Sequence, residues 1–509
     1  MSNLTRRDML HGGVAGLATA MAGGLARGQT KPADALPPEA AAASVAPRGV
    51  PVDVSTRTLE QIAAFAHRVR DDDLDGDSAL LVKRNLLDSL GCAIGAIGHG
   101  PVEAVRKLND EFGGRGLCTQ IGGGKTSPDR AALYNGCLVR YLDFMDCFHV
   151  KKEVCHPCDT IAGLIAVAEY AEASGRALLT AIAVAYQIHC RLLEELGAMR
   201  AGLNHTTPQA VAVAAAAARL LKLDVQQTQS AIALALDTGL SMSVTQAEPI
   251  SQWKGLSSGH ANMAAVHQTF MARSGVTGPA GAFDGPFGLY QLIRSKAQLN
   301  WDQEGLDVIR RTSLKRYNAE FHAQPIIEAT LELKRQHNLG PTTPVQQITV
   351  DVFREAYEVI GGGAYGPKNV VKTKESADHN ILYVVAVALL DGDVGPAQYA
   401  DERIGRADVQ TLLQKVIVRP SNDYSQHYPE QTPVRVTVRT SDGQTFTQEK
   451  RDWHGYAGRP MSFDDVVAKF DRIAAPNADA SARQAVVAAV YDLDRSSTAD
   501  LAAALTLGR

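Results

Sequence analysis

Acids, bases and thiols are crowded into one short stretch of the chain, residues 141–159. The stretch contains Asp143, His156 and Asp159 together with three of the seven cysteines. We predict that His156 lies beside a helix N-terminus, where the helix dipole disfavours added positive charge. That position lowers the pKa of an imidazole and suits it to act as a neutral base. From this segment alone, capping acids and a satisfied turn histidine explain the residues equally well.

Four further patches place ionisable groups among apolar or small residues. They lie at 202–207, 251–255, 313–317 and 377–383, and they contribute His205, Lys254, Lys315 and Tyr383. Taken singly, each patch is more typical of ordinary structure than of catalysis. A lysine beside Gly and Trp fits a surface, and a tyrosine within an Ile-Leu-Tyr-Val-Val run fits a core.

The elements that must position these groups are helical over the first half of the chain. From about residue 57 to 295, apolar residues recur at spacings of three and four, which predicts one helix after another. The segments 162–173 and 177–197 are clear examples, with Asp159 as the predicted N-cap of the first. Pro208 suits the first turn of an Ala-rich helix over 209–221.

The pattern changes after about residue 300. Residues 347–352 alternate like a strand, 416–418 are a second candidate, and 434–447 read as a hairpin around an Asp-Gly turn. Helical patterns at 381–390, 463–473 and 482–493 accompany them. We therefore predict a mainly α protein with a large all-α domain (53–305) and a smaller α+β lid domain (306–452). C-terminal helices (453–509) are predicted to pack on the all-α domain.

Composition excludes several classes of function. The chain has 509 residues, with 51 Lys and Arg against 55 Asp and Glu, so its net charge is −4. That balance argues against nucleic-acid binding and against electrostatic docking on anionic lipid. A charged fraction of 21% and a hydrophobic fraction of 45% are typical of globular proteins and not of disordered chains.

The N-terminus reads as an export signal. Arg6 and Arg7 directly precede a weakly hydrophobic, Gly- and Ala-rich stretch, and small residues near position 27 offer a cleavage site. This resembles a bacterial twin-arginine signal, which carries folded proteins. We expect residues 1–30 to be removed, residues 31–52 to form a Pro/Ala-rich linker, and the mature protein to be periplasmic and free of the membrane.

The cysteines give a weak metal signal. Cys155 and Cys158 form one CxxC pair with Cys147 nearby, but a second CxxC is missing. A four-cysteine zinc site therefore lacks half of its ligands. An iron–sulfur centre on these three thiols remains one alternative.

Taken together, the patches resemble the MmgE/PrpD family. The matching segments run in order along nearly the whole mature chain: 135–144, 155–159, 253–255, 275–279, 313–317 and 376–392. Named members include 2-methylcitrate dehydratase, cis-aconitate decarboxylase and an iminodisuccinate epimerase. The resemblance implies a large all-α domain plus an α+β lid, a homodimer, and activity without metal or organic cofactor.

The resemblance also assigns a pocket, which falls on Asp143, His156, His205, Lys254, Lys315 and Tyr383. Two positions depart from the family pattern. Cys158 stands where Ser is commoner, and Cys147 stands where some relatives carry a hydroxyl residue. Both residues adjoin the implied pocket, so a substrate different from that of the named members stays an alternative.

These residue types suit a lyase. Removing water from a β-hydroxy carboxylate needs a base for a carbon-bound proton, an acid for the leaving hydroxyl, and cations for the carboxylates. We expect the two histidines to be base and acid in an unassigned order and the two lysines to bind carboxylates. Asp143 would orient a histidine, and Tyr383 would relay a proton.

The predicted function is thus dehydration of a 2-methylcitrate-like hydroxy acid without a cofactor. Decarboxylation or epimerisation within the same family stays open, because nearly the same groups serve all three reactions. An iron–sulfur hydratase and an exported binding protein without catalysis are the alternatives from other classes. The second is disfavoured because a pocket without chemistry has no need of His156, Lys254, Lys315 and Tyr383.

Overall fold

The computed structural model of the chain describes residues 57–508. The predicted signal (1–30) and linker (31–52) lie outside the described residues. Within the described range, helices predominate and the sheets are small, so the prediction of a mainly α fold is confirmed.

The helices and strands have the following bounds. The α-helices are α1 (Arg57–Arg68), α2 (Gly76–Gly95), α3 (Gly100–Phe112), α4 (Pro128–Tyr141), α5 (Ile161–Tyr170), α6 (Gly175–Leu196), α7 (Thr206–Leu220), α8 (Val225–Thr238), α9 (Ser257–Arg273), α10 (Leu289–Ile293), α11 (Gln324–His337), α12 (Arg354–Ile360), α13 (Lys374–Ala377), α14 (Ile381–Asp391), α15 (Asp401–Ile404), α16 (Ala407–Leu413), α17 (Asn422–His427), α18 (Phe463–Ala474), α19 (Ala480–Tyr491) and α20 (Thr498–Ala504). The strands are β1 (Cys118–Thr119), β2 (Lys125–Thr126), β3 (Asp146–Val150), β4 (Glu153–Cys155), β5 (Ser313–Leu314), β6 (Val345–Val352), β7 (Val416–Pro420), β8 (Val434–Thr440) and β9 (Thr445–Lys450).

Buried apolar side chains form two hydrophobic cores. The first draws on residues 57–314 and 461–508, which we call the helical region. The second draws mainly on residues 317–456, which we call the sheet region. Cys147, from β3 of the helical region, packs into the second core. The segment around β3 therefore lies where the two regions meet.

Caps and small residues explain the long helices of the helical region. The Ser174 side chain accepts a hydrogen bond from an amide in the first turn of α6, and Gly197 ends that helix with φ of 63°. Helices α4 and α9 approach closely at two glycines. A Cβ atom on Gly136 would lie 2.8 Å from Gly259 Cα, which is too close for any side chain. This contact sets α4 and α9 side by side.

The sheet region is built on a four-stranded sheet in the order β7-β6-β8-β9. Strand β6 pairs parallel with β7 and antiparallel with β8, and β8 pairs antiparallel with β9. Alternate side chains of β8 are buried, as expected for a sheet with one face on a core. The predicted strands and the hairpin turning at Asp442-Gly443 are confirmed.

The C-terminal helices contribute to the first core. Helix α18 packs on α2, where Phe470 lies against Gly91. From the same helix, the buried ammonium of Lys469 lies 2.7 Å from Asp88 Oδ1. It also donates hydrogen bonds to the carbonyls of Phe144 and Lys315 at 2.6 and 2.7 Å. Helix α18 thereby fixes the two backbone segments that carry Asp143 and Lys315.

One local prediction is wrong. Asp159 does not cap α5, because a 3₁₀ turn over Pro157–Thr160 precedes that helix and Thr160 is its N-cap residue. The Asp159 carboxylate instead accepts a hydrogen bond from the Ser258 hydroxyl at 2.7 Å. Separately, the helices within residues 57–508 are too short or too polar to cross a bilayer.

Candidate active site

Asp143 is the centre of a buried charge cluster. It follows α4 in a left-handed conformation with φ of 57°, which Asp tolerates better than most residues. Its carboxylate is ion-paired with Arg140, with Lys254 at 3.2 Å and with Lys315 at 3.0 Å. The Lys315 ammonium also donates to the Asp143 carbonyl at 2.9 Å. Three cations thus surround one carboxylate, and all four side chains are buried.

The cluster perturbs its own members. Burial by itself would raise the pKa of Asp143, but Lys254, Lys315 and Arg140 outweigh it and hold that pKa well below its usual value. Burial also lowers the pKa of Lys254 to about 8, although Asp143 and Asp378 oppose the shift. Near neutral pH, Asp143 is therefore an anion, whereas Lys254 is a cation close to its titration point.

His156 presents one free nitrogen to Asp143. Its Nδ1 lies 2.7 Å from the Asp146 carbonyl, and a carbonyl only accepts, so Nδ1 carries the hydrogen. Nε2 then keeps its lone pair, 4.0 Å from Asp143 Oδ1. Burial, followed by the charges of Arg140 and Lys315, lowers the pKa of His156 well below its usual value. His156 is consequently neutral and has the tautomer of a base.

Asp146 supports His156 from β3. Its carboxylate accepts hydrogen bonds from the Tyr186 hydroxyl at 2.7 Å and from the Asn85 amide at 2.9 Å. The Cys158 backbone amide donates to the same carboxylate at 3.2 Å. Burial raises the pKa of Asp146 to about 6. These contacts fix the backbone carbonyl that orients His156.

His205 is more enclosed than His156. Its Nε2 lies 3.4 Å from Asp159 Oδ2, and both ring nitrogens are buried. The two imidazole rings meet edge to face, with centroids 5.4 Å apart. Burial lowers the pKa of His205, although the Asp159 carboxylate opposes the shift. His205 thus packs against the ring of His156 and lies next to the Asp159 carboxylate.

The sheet region adds to the cluster an acid–histidine pair that the sequence does not predict. His379 Nδ1 lies 2.6 Å from Asp378 Oδ1 and 3.3 Å from Lys254 Nζ. Asp378 is bound in turn by Lys374 at 2.7 Å. The segment 376–392, which resembles the family pattern, contains both residues, but the resemblance predicts only Tyr383 from it as a site residue. The adjacent acid and histidine, directly before the helix-capping residue Asn380, were the signal that could have found them.

Tyr383 is not part of this cluster. It lies in α14 within the core of the sheet region, and its hydroxyl donates to the Gln398 carbonyl. The Asn380 side chain caps α14 by accepting from the Tyr383 amide at 3.1 Å. This cap fixes the helix start next to His379 and turns the Tyr383 ring into the core. Of the six predicted residues, the structure brings together Asp143, His156, His205, Lys254 and Lys315.

The cysteines occupy separate surroundings. All seven are buried and unpaired as disulfides. Cys147 lies in the second core, whereas Cys155 and Cys158 lie in the first. The Cys155 thiol is hydrogen-bonded to Cys190, and the Cys158 thiol is hydrogen-bonded to Asp146. This dispersal argues against the iron–sulfur alternative.

An ammonium group occupies the position most suited to a cation. Within residues 57–508, the three side chains that converge as metal ligands would are Asp143, Asp378 and His379. The Lys254 ammonium lies 3.2, 3.7 and 3.3 Å from their respective atoms. A bound metal would have to displace Lys254, so we treat these residues as partners of a lysine.

A cavity of about 710 Å³ lies near the cluster, and its walls come from neighbours of Asp143 and Lys254 and not from those two residues themselves. Its walls include Tyr141 and Leu142, which directly precede Asp143, and Gln252, two residues before Lys254. Lys374 lines the same cavity while its ammonium binds Asp378. The volume is within the range of small-molecule sites.

Two family models match the chain. The MmgE/PrpD N-terminal domain model matches residues 60–302, and the MmgE/PrpD C-terminal domain model matches residues 317–493. The chain therefore belongs to the MmgE/PrpD family.

Several named relatives are lyases. The chain is 28% identical over 390 residues to the 2-methylcitrate dehydratase of Escherichia coli K12, covering 71% of this chain and 78% of the relative. It is 27% identical over 464 residues to an alkylcitrate dehydratase from a fungal species, covering 82% and 89%. It is 23% identical over 436 residues to the cis-aconitate decarboxylase of Mus musculus, covering 81% and 85%.

Proposed function

We propose that this chain is a cofactor-independent hydro-lyase that removes water from a 2-methylcitrate-like hydroxy acid. The observation that carries the proposal is the neutral His156, with its free Nε2 facing a buried carboxylate that is surrounded by Arg140, Lys254 and Lys315. Dehydratase relatives that cover most of the chain support it. The same intact cluster disfavours an exported binding protein without catalysis.

His156 is the proposed base. The substrate proton to be removed lies on a carbon next to a carboxylate, and a neutral imidazole is a suitable acceptor. The hydrogen bond from Nδ1 to the Asp146 carbonyl keeps the lone pair on Nε2, facing the site. The cations near His156 also stabilise the negative charge that grows on the substrate carboxylate as the proton leaves.

Lys254 and Lys315 are the proposed carboxylate-binding groups. Asp143 is their counter-ion, and a substrate carboxylate would join it as a second anion among the three cations. An ammonium is a compact point charge on a flexible stem, so each lysine can turn from Asp143 towards a substrate oxygen. Desolvation in this buried site strengthens every such contact.

The position of Lys254 supports the proposal that no cofactor is needed. Its ammonium supplies positive charge where a metal would otherwise do so, and carboxylate binding plus imidazole proton transfer need no redox centre. Elemental analysis of the purified protein should find no stoichiometric metal. About one zinc or several irons per chain would overturn this part of the proposal.

Decarboxylation is the second candidate, because the chain also resembles a cis-aconitate decarboxylase over 81% of its length. Loss of CO₂ leaves a carbanion that needs the same cations and a proton donor, but no leaving hydroxyl. Epimerisation within the family would use the same imidazoles on a carbon-bound proton. Analysis of the products distinguishes dehydration, decarboxylation and epimerisation.

The deciding experiment is a substrate screen with the mature chain. Citrate-like hydroxy acids, including 2-methylcitrate, and cis-aconitate would be followed by alkene absorbance and by NMR. We expect an alkene to form from a hydroxy acid with all carboxylates retained, and His156→Gln to abolish it. Release of CO₂ from cis-aconitate would indicate the decarboxylase, and proton exchange without elimination would indicate an epimerase.

We also propose that the protein is exported folded to the periplasm and works there as a homodimer. Support for export is the Arg6-Arg7 pair ahead of an apolar stretch, and support for the dimer is family resemblance. A reporter fused behind residues 1–30 should reach the periplasm, and Arg6→Lys with Arg7→Lys should stop it. Light scattering on the mature chain tests the dimer.

A further inference from the structure

The Asp378–His379 pair has the geometry of a proton-transfer unit. The His379 ring is buried beside Asp143, with Nδ1 4.0 Å from Asp143 Oδ2. Burial by itself would raise the pKa of Asp378, but Lys254 and Lys374 outweigh it and lower that pKa. An ionised carboxylate only accepts, so Nδ1 of His379 donates to it at 2.6 Å. Nε2 is therefore the nitrogen of His379 that can exchange a proton with a substrate.

The partner behind Nδ1 distinguishes His379 from His156. His156 donates to a neutral carbonyl, and Arg140 and Lys315 each disfavour its protonated form more than Asp143 favours it. His379 donates to a carboxylate, and a hydrogen bond between two charged groups is about twice as strong as a neutral one. The carboxylate of Asp378 therefore stabilises an imidazolium on His379, as an acid requires.

The other charged groups around His379 act on its protonation in opposite directions. Lys254, at 3.3 Å, disfavours protonation, whereas Asp143 and Glu320 favour it. Burial and Lys254 together keep the pKa of His379 below its usual value. A polycarboxylate that enters the site adds negative charge and engages Lys254, and both changes favour an imidazolium on His379.

His205 is less suited to be the acid. Both of its ring nitrogens are buried, and Nε2 is directed to Asp159, which also holds Ser258 and lies 3.9 Å from Arg140. Its ring edge packs on His156. Both ring nitrogens of His205 are fully enclosed, so the side chain would have to move to reach a substrate hydroxyl, whereas Nε2 of His379 is not fully enclosed and has no protein partner within residues 57–508.

We propose that His379, held by Asp378, is the general acid of the site and protonates the leaving hydroxyl through Nε2, whereas His205 positions His156. This inference rests on the proposed dehydration. His156 takes the carbon-bound proton, the C–H electron pair becomes the π bond, and the C–O bond breaks. The oxygen leaves as water with the proton from His379. Proton exchange with solvent then returns His156 to its neutral form and His379 to its protonated form.

A change of leaving group tests this assignment. In a 2-methylcitrate analogue with fluorine in place of the leaving hydroxyl, fluoride departs without a proton, so its release needs the base but not the acid. For His379→Gln we expect dehydration to fall by ~10²–10⁴-fold, with fluoride release falling by less than about tenfold. For His156→Gln and His205→Gln, both reactions should fall by similar factors.

Asp378→Asn provides a second variant that keeps the imidazole. Without the carboxylate, the imidazolium loses its partner, and dehydration should again fall more than fluoride release. Equal losses for the two substrates in both His379→Gln and Asp378→Asn would overturn the assignment, as would full dehydration by His379→Gln. Selective loss of dehydration in His205→Gln would assign the acid to His205.

The wild-type chain separates this inference from the proposed function. If it releases neither water nor fluoride, the proposed dehydration fails and the role of His379 falls with it. If it releases both and His379→Gln releases both at the same rates, only the inference about His379 fails.

Discussion

The helical region and the sheet region each supply an imidazole to the cluster around Asp143, and they hold it in different ways. His156 is fixed by a backbone carbonyl in β3, which a side-chain substitution cannot remove. His379 is fixed by the carboxylate of Asp378, which depends on Lys254 and Lys374 for its own charge. One support is neutral and rigid, and the other is charged and made of side chains.

The difference shows how two identical side chains acquire opposite functions. A neutral acceptor with nearby cations favours an uncharged ring, and an anionic acceptor favours a protonated one. Lys254 links the two regions, because it contacts Asp143 from the helical region and Asp378 from the sheet region.

The largest effect is expected from removing the base. His156→Ala should lower the turnover number by ~10²–10⁴-fold, because a general base typically contributes that factor. The protein should still fold, with the free energy of unfolding lowered by about 1–3 kcal/mol, because the buried Asp146 carbonyl loses the hydrogen bond from His156. A fully active His156→Ala protein would show that the base lies elsewhere, with His379 the first candidate.

Replacing Lys254 should lower activity somewhat less than replacing His156. Lys254→Ala is expected to raise KM and to lower the turnover number, with a loss of ~10²–10³-fold in kcat/KM, because the ammonium stabilises substrate charge in the ground state and in the transition state. Lys151→Ala, at an exposed lysine of the same region, is the matched control and should change neither constant. A change confined to KM would mean that Lys254 binds substrate without assisting the reaction.

The protonation of Lys254 predicts a pH dependence. Its folded pKa of about 8 means that the ammonium is present below that pH and is lost above it. Activity that needs the cation should therefore fall by about tenfold per pH unit above pH 8. The fall should appear in kcat/KM for the hydroxy and the fluoro substrates alike. In Lys254→Arg, any residual activity should show no fall near pH 8, because a guanidinium stays protonated; an unchanged fall would exclude Lys254 as its source.

Much of the fold could be predicted from the sequence because its signals are local. The periodic segments 177–197 and 209–221, and the hairpin at Asp442-Gly443, correspond to α6, α7 and the β8–β9 pair within a few residues. The prediction that Asp159 caps α5 is wrong because an acid before an apolar run suits a cap whether or not it forms one. Its real partners, Ser258 and His205, are distant in sequence, and no local pattern predicts such contacts.

The site could be predicted only as far as its members recur in a known family pattern. Asp143, His156 and the two lysines stand in such motifs and converge in the structure. Asp378 and His379 stand in one too, but whether they or Tyr383 face the cluster depends on where α14 begins. The cap at Asn380 decides this, since it places Asp378 and His379 before the helix and Tyr383 within it.

The smallest effect is expected at Tyr383, the predicted residue that the structure places outside the cluster. Tyr383→Phe removes a hydroxyl that donates to the Gln398 carbonyl inside the sheet region, and the net value of one such hydrogen bond is about 1 kcal/mol. The free energy of unfolding in urea should fall by about that amount, while the kinetic constants stay unchanged. Tyr186→Phe is the informative comparison, because its hydroxyl donates to Asp146, which orients His156. It should therefore lower the turnover number as well as the stability. If Tyr383→Phe instead lowered turnover with no loss of stability, the tyrosine would have to reach the substrate, and the boundary that Asn380 sets between site and core would be wrong.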